Sequence, residues 1–70
     1  MERADAIRQM RELILEVGSS VTKLHPLVPG LADQPTQDEV FKALYELTKH
    51  VETVKKQLLR LERRDESSEL

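Results

Sequence analysis

Two histidines, His25 and His50, are the only imidazoles in this 70-residue chain, which contains no cysteine. A zinc or other transition-metal site needs several such ligands at short, fixed spacings on one element or on elements that converge. His25 and His50 lie far apart in sequence, and no Glu-x-x-His pair accompanies either. Ser19 and Ser20 offer hydroxyls, but a nucleophilic serine needs a base within hydrogen-bond reach, and the expected packing brings no histidine to them. Gly18 and Gly30 are the only glycines, too few for a phosphate-cradling loop. The many carboxylates fall on faces expected to be wet. The sequence therefore predicts no catalytic residue, no cofactor and no metal ligand, and a protein that is not an enzyme.

One patterned set of charges remains. Lys42, Lys49, Lys56 and Arg63 recur at intervals of seven, with Arg60 beside them. Between Lys49 and Arg64, six basic residues (Lys49, Lys55, Lys56, Arg60, Arg63, Arg64) face two acidic ones (Glu52, Glu62). Such a line suits a phosphate backbone, so a small nucleic-acid-binding regulator is the alternative function. Against it, no aromatics interleave the line, and the chain carries 11 basic against 13 acidic residues. Glu46 and Glu52 also stand one helical turn before Lys49 and Lys56, as ordinary surface pairs do.

The elements that position these residues follow from the apolar spacing. Ile7, Met10, Ile14, Val17, Val21 and Leu24 form one ladder. Val40, Leu44, Leu47, Val51, Val54, Leu58 and Leu61 form a second. Both alternate steps of three and four, the spacing of heptad positions a and d on helices that pack along one seam. With a at Ile7 and at Leu44, the basic line falls at f, the outermost position. The fold class is all-α: an antiparallel hairpin of two helices with heptad seams, coiled-coil-like, pairing into a four-helix bundle or docking into a larger helical complex. It resembles, at the level of fold alone, the small antiparallel hairpins that dimerise into such bundles, and that likeness carries no function.

The expected organisation is a helical hairpin over residues 1–64 and a frayed polar tail over 65–70. Helix 1 spans about 3–24, with Gly18-Ser19-Ser20 as a soft spot of poor helix formers. A proline-rich corner spans 25–35. Pro26 is expected to expel His25 from helical geometry, and Pro29-Gly30 to form a type II turn, with Leu27, Val28 and Leu31 folding back to plug the end of the bundle. Helix 2 spans about 37–64 and opens on a capping box in which Thr36 and Glu39 bond reciprocally. Being longer, it is expected to overhang the start of helix 1 with Leu58 to Arg64. The terminal Ser68-Glu69-Leu70 loosely fits a peptide that adds a strand to a sheet edge.

Composition supports an interaction module. Chains this short rarely hold together on one core without a staple or a partner, and this one has no cysteine, no tryptophan, one Phe and one Tyr. Several large apolar side chains stand off the seams: Phe41 at e, and Leu15, Tyr45 and Leu59 at b, with Gly18 at e. Leu15, Gly18, Phe41, Tyr45 and Leu59 are the candidate partner-binding residues. The expected function is a non-catalytic adaptor or oligomerisation module whose partner is protein, either itself or a helical subunit, with nucleic acid only as the alternative partner and no membrane. The lack of cysteine and of an apolar leader points inside the cell, to cytoplasm or nucleus.

Overall fold

A computed structural model of the chain describes residues 1–67. Ser68-Glu69-Leu70, the possible sheet-edge peptide, lies outside the described residues. The molecule is an all-helical hairpin, 56 Å long and 16 Å across. Helix α1 covers Arg3–Leu24, a 3-10 helix covers His25–Leu31, and helix α2 covers Gln34–Ser67.

Helix α1 passes through Gly18-Ser19-Ser20 without a break. The Thr22 hydroxyl donates to the Gly18 carbonyl at 3.1 Å. Asp5 in the first turn and Lys23 in the last suit the helix dipole. The corner differs from the expectation. His25 keeps right-handed helical angles (φ −52°, ψ −50°), and the chain tightens into 3-10 winding along the same course. Pro26 and Pro29 each lack an N–H, so an α-helix would lose two of its bonds here, whereas a short 3-10 turn tolerates them. Gly30 does not have positive φ, so no type II turn forms at Pro29-Gly30. The reversal is delayed to Ala32, which adopts φ 53°, ψ 36° and donates its N–H to the Pro29 carbonyl at 3.3 Å.

Helix α2 starts earlier than the capping box implied. The Asp33 carbonyl accepts the first helical bond, from Gln37 N–H at 2.9 Å. The Asp33 carboxylate accepts from the Thr36 amide at 3.3 Å and from its hydroxyl at 2.5 Å. Asp33 is thus the N-cap, three residues before Thr36, and Pro35 occupies the first turn, where its missing N–H costs nothing. Asp38 is taken up by Gln34, whose side-chain amide donates to it at 2.8 Å. Downstream, the helix continues through residues 65–67 instead of fraying after Arg64.

The two arms run antiparallel and end together. Arg3 meets Asp65, and Arg11 meets Glu62, each at 2.8 Å. No overhang exists, because the 3-10 helix prolongs the first arm until it matches α2. Burial follows one line of the heptad. The a residues Ile7, Val21, Leu44, Val51 and Leu58 are 5–8% exposed, and Val28, in phase with them, is 3% exposed. Val21, Val28 and Leu44 form one cluster with Val40 against it. Most d residues assigned to the seam sit farther out: Met10, Val17, Leu24 and Leu47 remain 40–48% exposed, while Val40, Val54 and Leu61 of α2 are half-buried. The arms are rolled from a/d toward a/e. Gly18, at e, lets Val51 approach, with the Val51 Cγ1 3.6 Å from where a Cβ would stand. The ion pair of Arg11 with Glu62 and the stacking of His25 on Phe41 close that same edge.

Two stability predictions follow from this geometry. Asp33→Ala should cost about 1 kcal/mol by urea denaturation, the worth of an N-cap, and more than Thr36→Ala; the reverse order would restore Thr36 as the cap. Gly18→Ala should raise stability by about 0.5–1 kcal/mol, because 3.6 Å is ordinary contact and alanine is the better helix former.

Candidate interaction surfaces

Roll toward e divides the hairpin into two unlike flanks. In an antiparallel pair facing along a, the e and b positions of both arms lie on one side and the d and g positions on the other.

The e/b flank holds most of the side chains with chemical potential. His25 stacks on Phe41 with ring centroids 6.1 Å apart. His25 and Ser19 line one hollow with Glu52 and Lys55, a proximity the sequence did not anticipate, yet no hydrogen bond joins serine to imidazole. His50, at g, is exposed and belongs to the opposite flank. Among the described residues no group of three or more His, Asp or Glu is placed to hold a metal ion.

The candidate partner-binding residues also gather on this flank, in different states. Gly18 faces inward onto Val51. Leu15 and Leu59 stay exposed and line one hollow with Ile14, Arg11 and Lys55. Tyr45 lies under the Lys49 ammonium, 4.6 Å from its ring centroid. A second hollow near the free ends joins Leu15 to Arg8, Arg11, Glu12 and Glu62. Apolar surface on this side is therefore interleaved with charge.

The basic line is partly neutralised. Lys42 pairs with Glu39 at 3.8 Å and Lys49 with Glu46 at 3.7 Å. Glu52 pairs with Lys55 at 3.3 Å, not with Lys56 as the spacing suggested. Among the described residues Lys56, Arg60 and Arg63 show no ion pair.

The d/g flank is the surface that sequence reasoning did not single out. The half-exposed d residues Met10, Val17, Leu24 and Leu47 lie here. Beside them, the g positions are Ala6, Leu13, Ser20 and Leu27 on the first arm, and Ala43, His50, Gln57 and Arg64 on the second. None is acidic, and Arg64 at the open end is the one formally charged side chain among them. Near the corner Leu24, Leu27, Leu31 and Val40 line a common apolar hollow. The signal was present in the sequence as a g line without acidic residues, but an a/d seam hides it by placing d inside.

No family model matches the chain, and no curated protein or solved structure matches it. Among the described residues, no helix is long and apolar enough to cross a membrane.

The assignment of the seam has a direct check. Leu44→Ala should cost about 2–4 kcal/mol, the range for emptying a packed leucine site, while Leu15→Ala should cost under about 0.5 kcal/mol as a surface change. Equal losses in chemical denaturation would contradict the a-line core.

Proposed function

We propose that the chain is a non-catalytic protein–protein interaction and oligomerisation module, an assembly or regulatory subunit that works through apolar helix faces. The observation that carries this reading is exposed area. The folded chain exposes 5735 Å², about 1,200 Å² more than the roughly 4,500 Å² expected of a compact protein of its mass, 8.1 kDa. Much of that surface is aliphatic: Leu13, Leu15, Leu27 and Leu31 are all at least half exposed. Standard interfaces cover about 800 Å² per partner, so one partner covers about two thirds of that excess. The partner is a protein, a second copy or a helical subunit of a larger complex, and the product is a four-helix bundle or a comparable helical assembly. Absence of cysteine suits work inside the cell, in cytoplasm or nucleus.

A second reading has one supporting observation. Lys56, Arg60 and Arg63 lack ion pairs among the described residues, and with Lys42 and Lys49 they line one face of α2, as a phosphate-binding regulator requires. The formal net charge of −2 weighs against it, as do the glutamates already beside Lys42 and Lys49.

Mass and helicity measured together over a concentration series test the first reading. The expected result is association at micromolar concentration, with helix content falling as the assembly dissociates on dilution. A cooperatively folded monomer that gains no partner would overturn it. Nucleic-acid binding that weakens with salt, at a log–log slope near −0.9 per phosphate contact on duplex DNA, would install the second.

A further inference from the structure

Resting on the interaction-module reading, we infer that the d/g flank is a self-association surface, and that two copies pack it face to face with their corners at opposite ends. The other flank is a poor candidate for a dry, self-complementary contact, because Arg8, Arg11, Glu12, Lys55 and Glu62 border its leucines. The d/g flank is two helices wide and carries no acidic group. A mainly aliphatic surface whose charges, Arg3 and Arg64, stand only at its open end offers a charged partner little to recognise, but it matches a copy of itself.

The arrangement follows from where the ladders are centred. The d residues of the first arm, Met10 to Leu31, centre between Ser20 and Val21. Those of α2, Val40 to Leu61, centre between His50 and Val51. These two points lie within about two residues of one level, roughly 3 Å, since Gly18 meets Val51 across the seam. A two-fold axis crossing the flank near that level lays each arm antiparallel on its own copy with nearly complete overlap, an isologous contact.

The charges bordering the flank fit this axis. At position c, Glu16 then comes within about two residues of Lys23 of the second copy, a rise of roughly 3 Å. Glu39 comes equally near Arg60 of the second copy. Symmetry doubles both, giving four opposite-charge pairs and no like-charge pair. Glu16, Lys23 and Arg60 show no ion pair within the described chain, and Glu39 makes only the 3.8 Å contact with Lys42. The other two-fold, along the hairpin with both corners at one end, sets Glu16 beside Thr53 and Gln9 beside Arg60, and leaves one opposite-charge pair per chain, Lys23 with Glu46. The opposed arrangement therefore uses the bordering charges more fully.

The absence of cysteine makes the test simple. Ser20→Cys stands next to the proposed axis, facing its own copy, and should oxidise in air to a disulfide-linked dimer that stays helical. In the same-end arrangement Ser20→Cys should instead cross-link to His50→Cys when the two single variants are mixed, and that outcome overturns the opposed axis. In sedimentation, Leu13→Glu should raise the dimer dissociation constant at least about a hundredfold by burying two unpaired carboxylates, while Leu15→Glu should change it little. The reverse ranking, with a dimer still present, overturns the d/g face and leaves the interaction-module reading standing. Glu16→Lys should weaken the dimer up to about tenfold, and adding Lys23→Glu should restore it, because exposed pairs are weak but act twice. A chain that stays monomeric at all concentrations overturns self-association; if it still binds a helical partner, the module reading survives.

Discussion

The hairpin closes on one line of buried aliphatics, Ile7, Val21 and Val28 against Leu44, Val51 and Leu58, and everything else about the molecule follows from how narrow that line is. Two helices of this width can each bury only the stripe that faces the other. An a/d stripe is wider than one partner covers, so the arms must choose a side, and they roll toward e. Gly18 permits the close approach of Val51 there, and two ion pairs fasten the far end. Exposed ion pairs of this kind contribute little each; of the two, Arg11–Glu62 joins e positions and lies on the edge toward which the arms roll. The cost of the choice is that the d residues stand half in water.

Exposed aliphatic surface is the consequence on which the proposed interaction role rests. A flank without acidic groups, bordered by charges that would complement their own mates in the proposed dimer, differs in kind from a flank where leucines alternate with arginine, lysine and glutamate. The first favours dry packing over a broad area. The second is well solvated and already satisfied in part by local pairs. Scattered exposed leucines carry little meaning by themselves, but a contiguous apolar face does.

The corner sets the length over which this surface extends. Pro26 and Pro29 interrupt α-helical bonding, yet the chain keeps its course as a 3-10 helix and turns only at Ala32 and Asp33. As a result Val28 joins the core cluster and Leu31 continues the exposed ladder, so both arms have nearly the same length. A reversal at Pro29-Gly30 would have shortened the first arm and left part of α2 without a neighbour.

Spacing alone determined the all-helical class, the antiparallel pairing and the apolar ladders, because periodicity reports which side chains share a face. It determined α1 despite Gly18-Ser19-Ser20, since a helix packed along its length tolerates a few tenths of a kcal/mol to about 1 kcal/mol of poor propensity per residue. Tertiary structure decided what periodicity cannot encode. Asp33 and Thr36 both suit an N-cap, and the selection depended on where the chain could reverse. The residue before Pro26 kept helical angles because the following turns packed against α2. Above all, the roll of the arms about their axes turned an expected a/d seam into an a/e seam with d outside. Heptad letters fix the order of residues around a helix, but not which edge of the stripe meets the partner; that depends on the side chains of both arms at once.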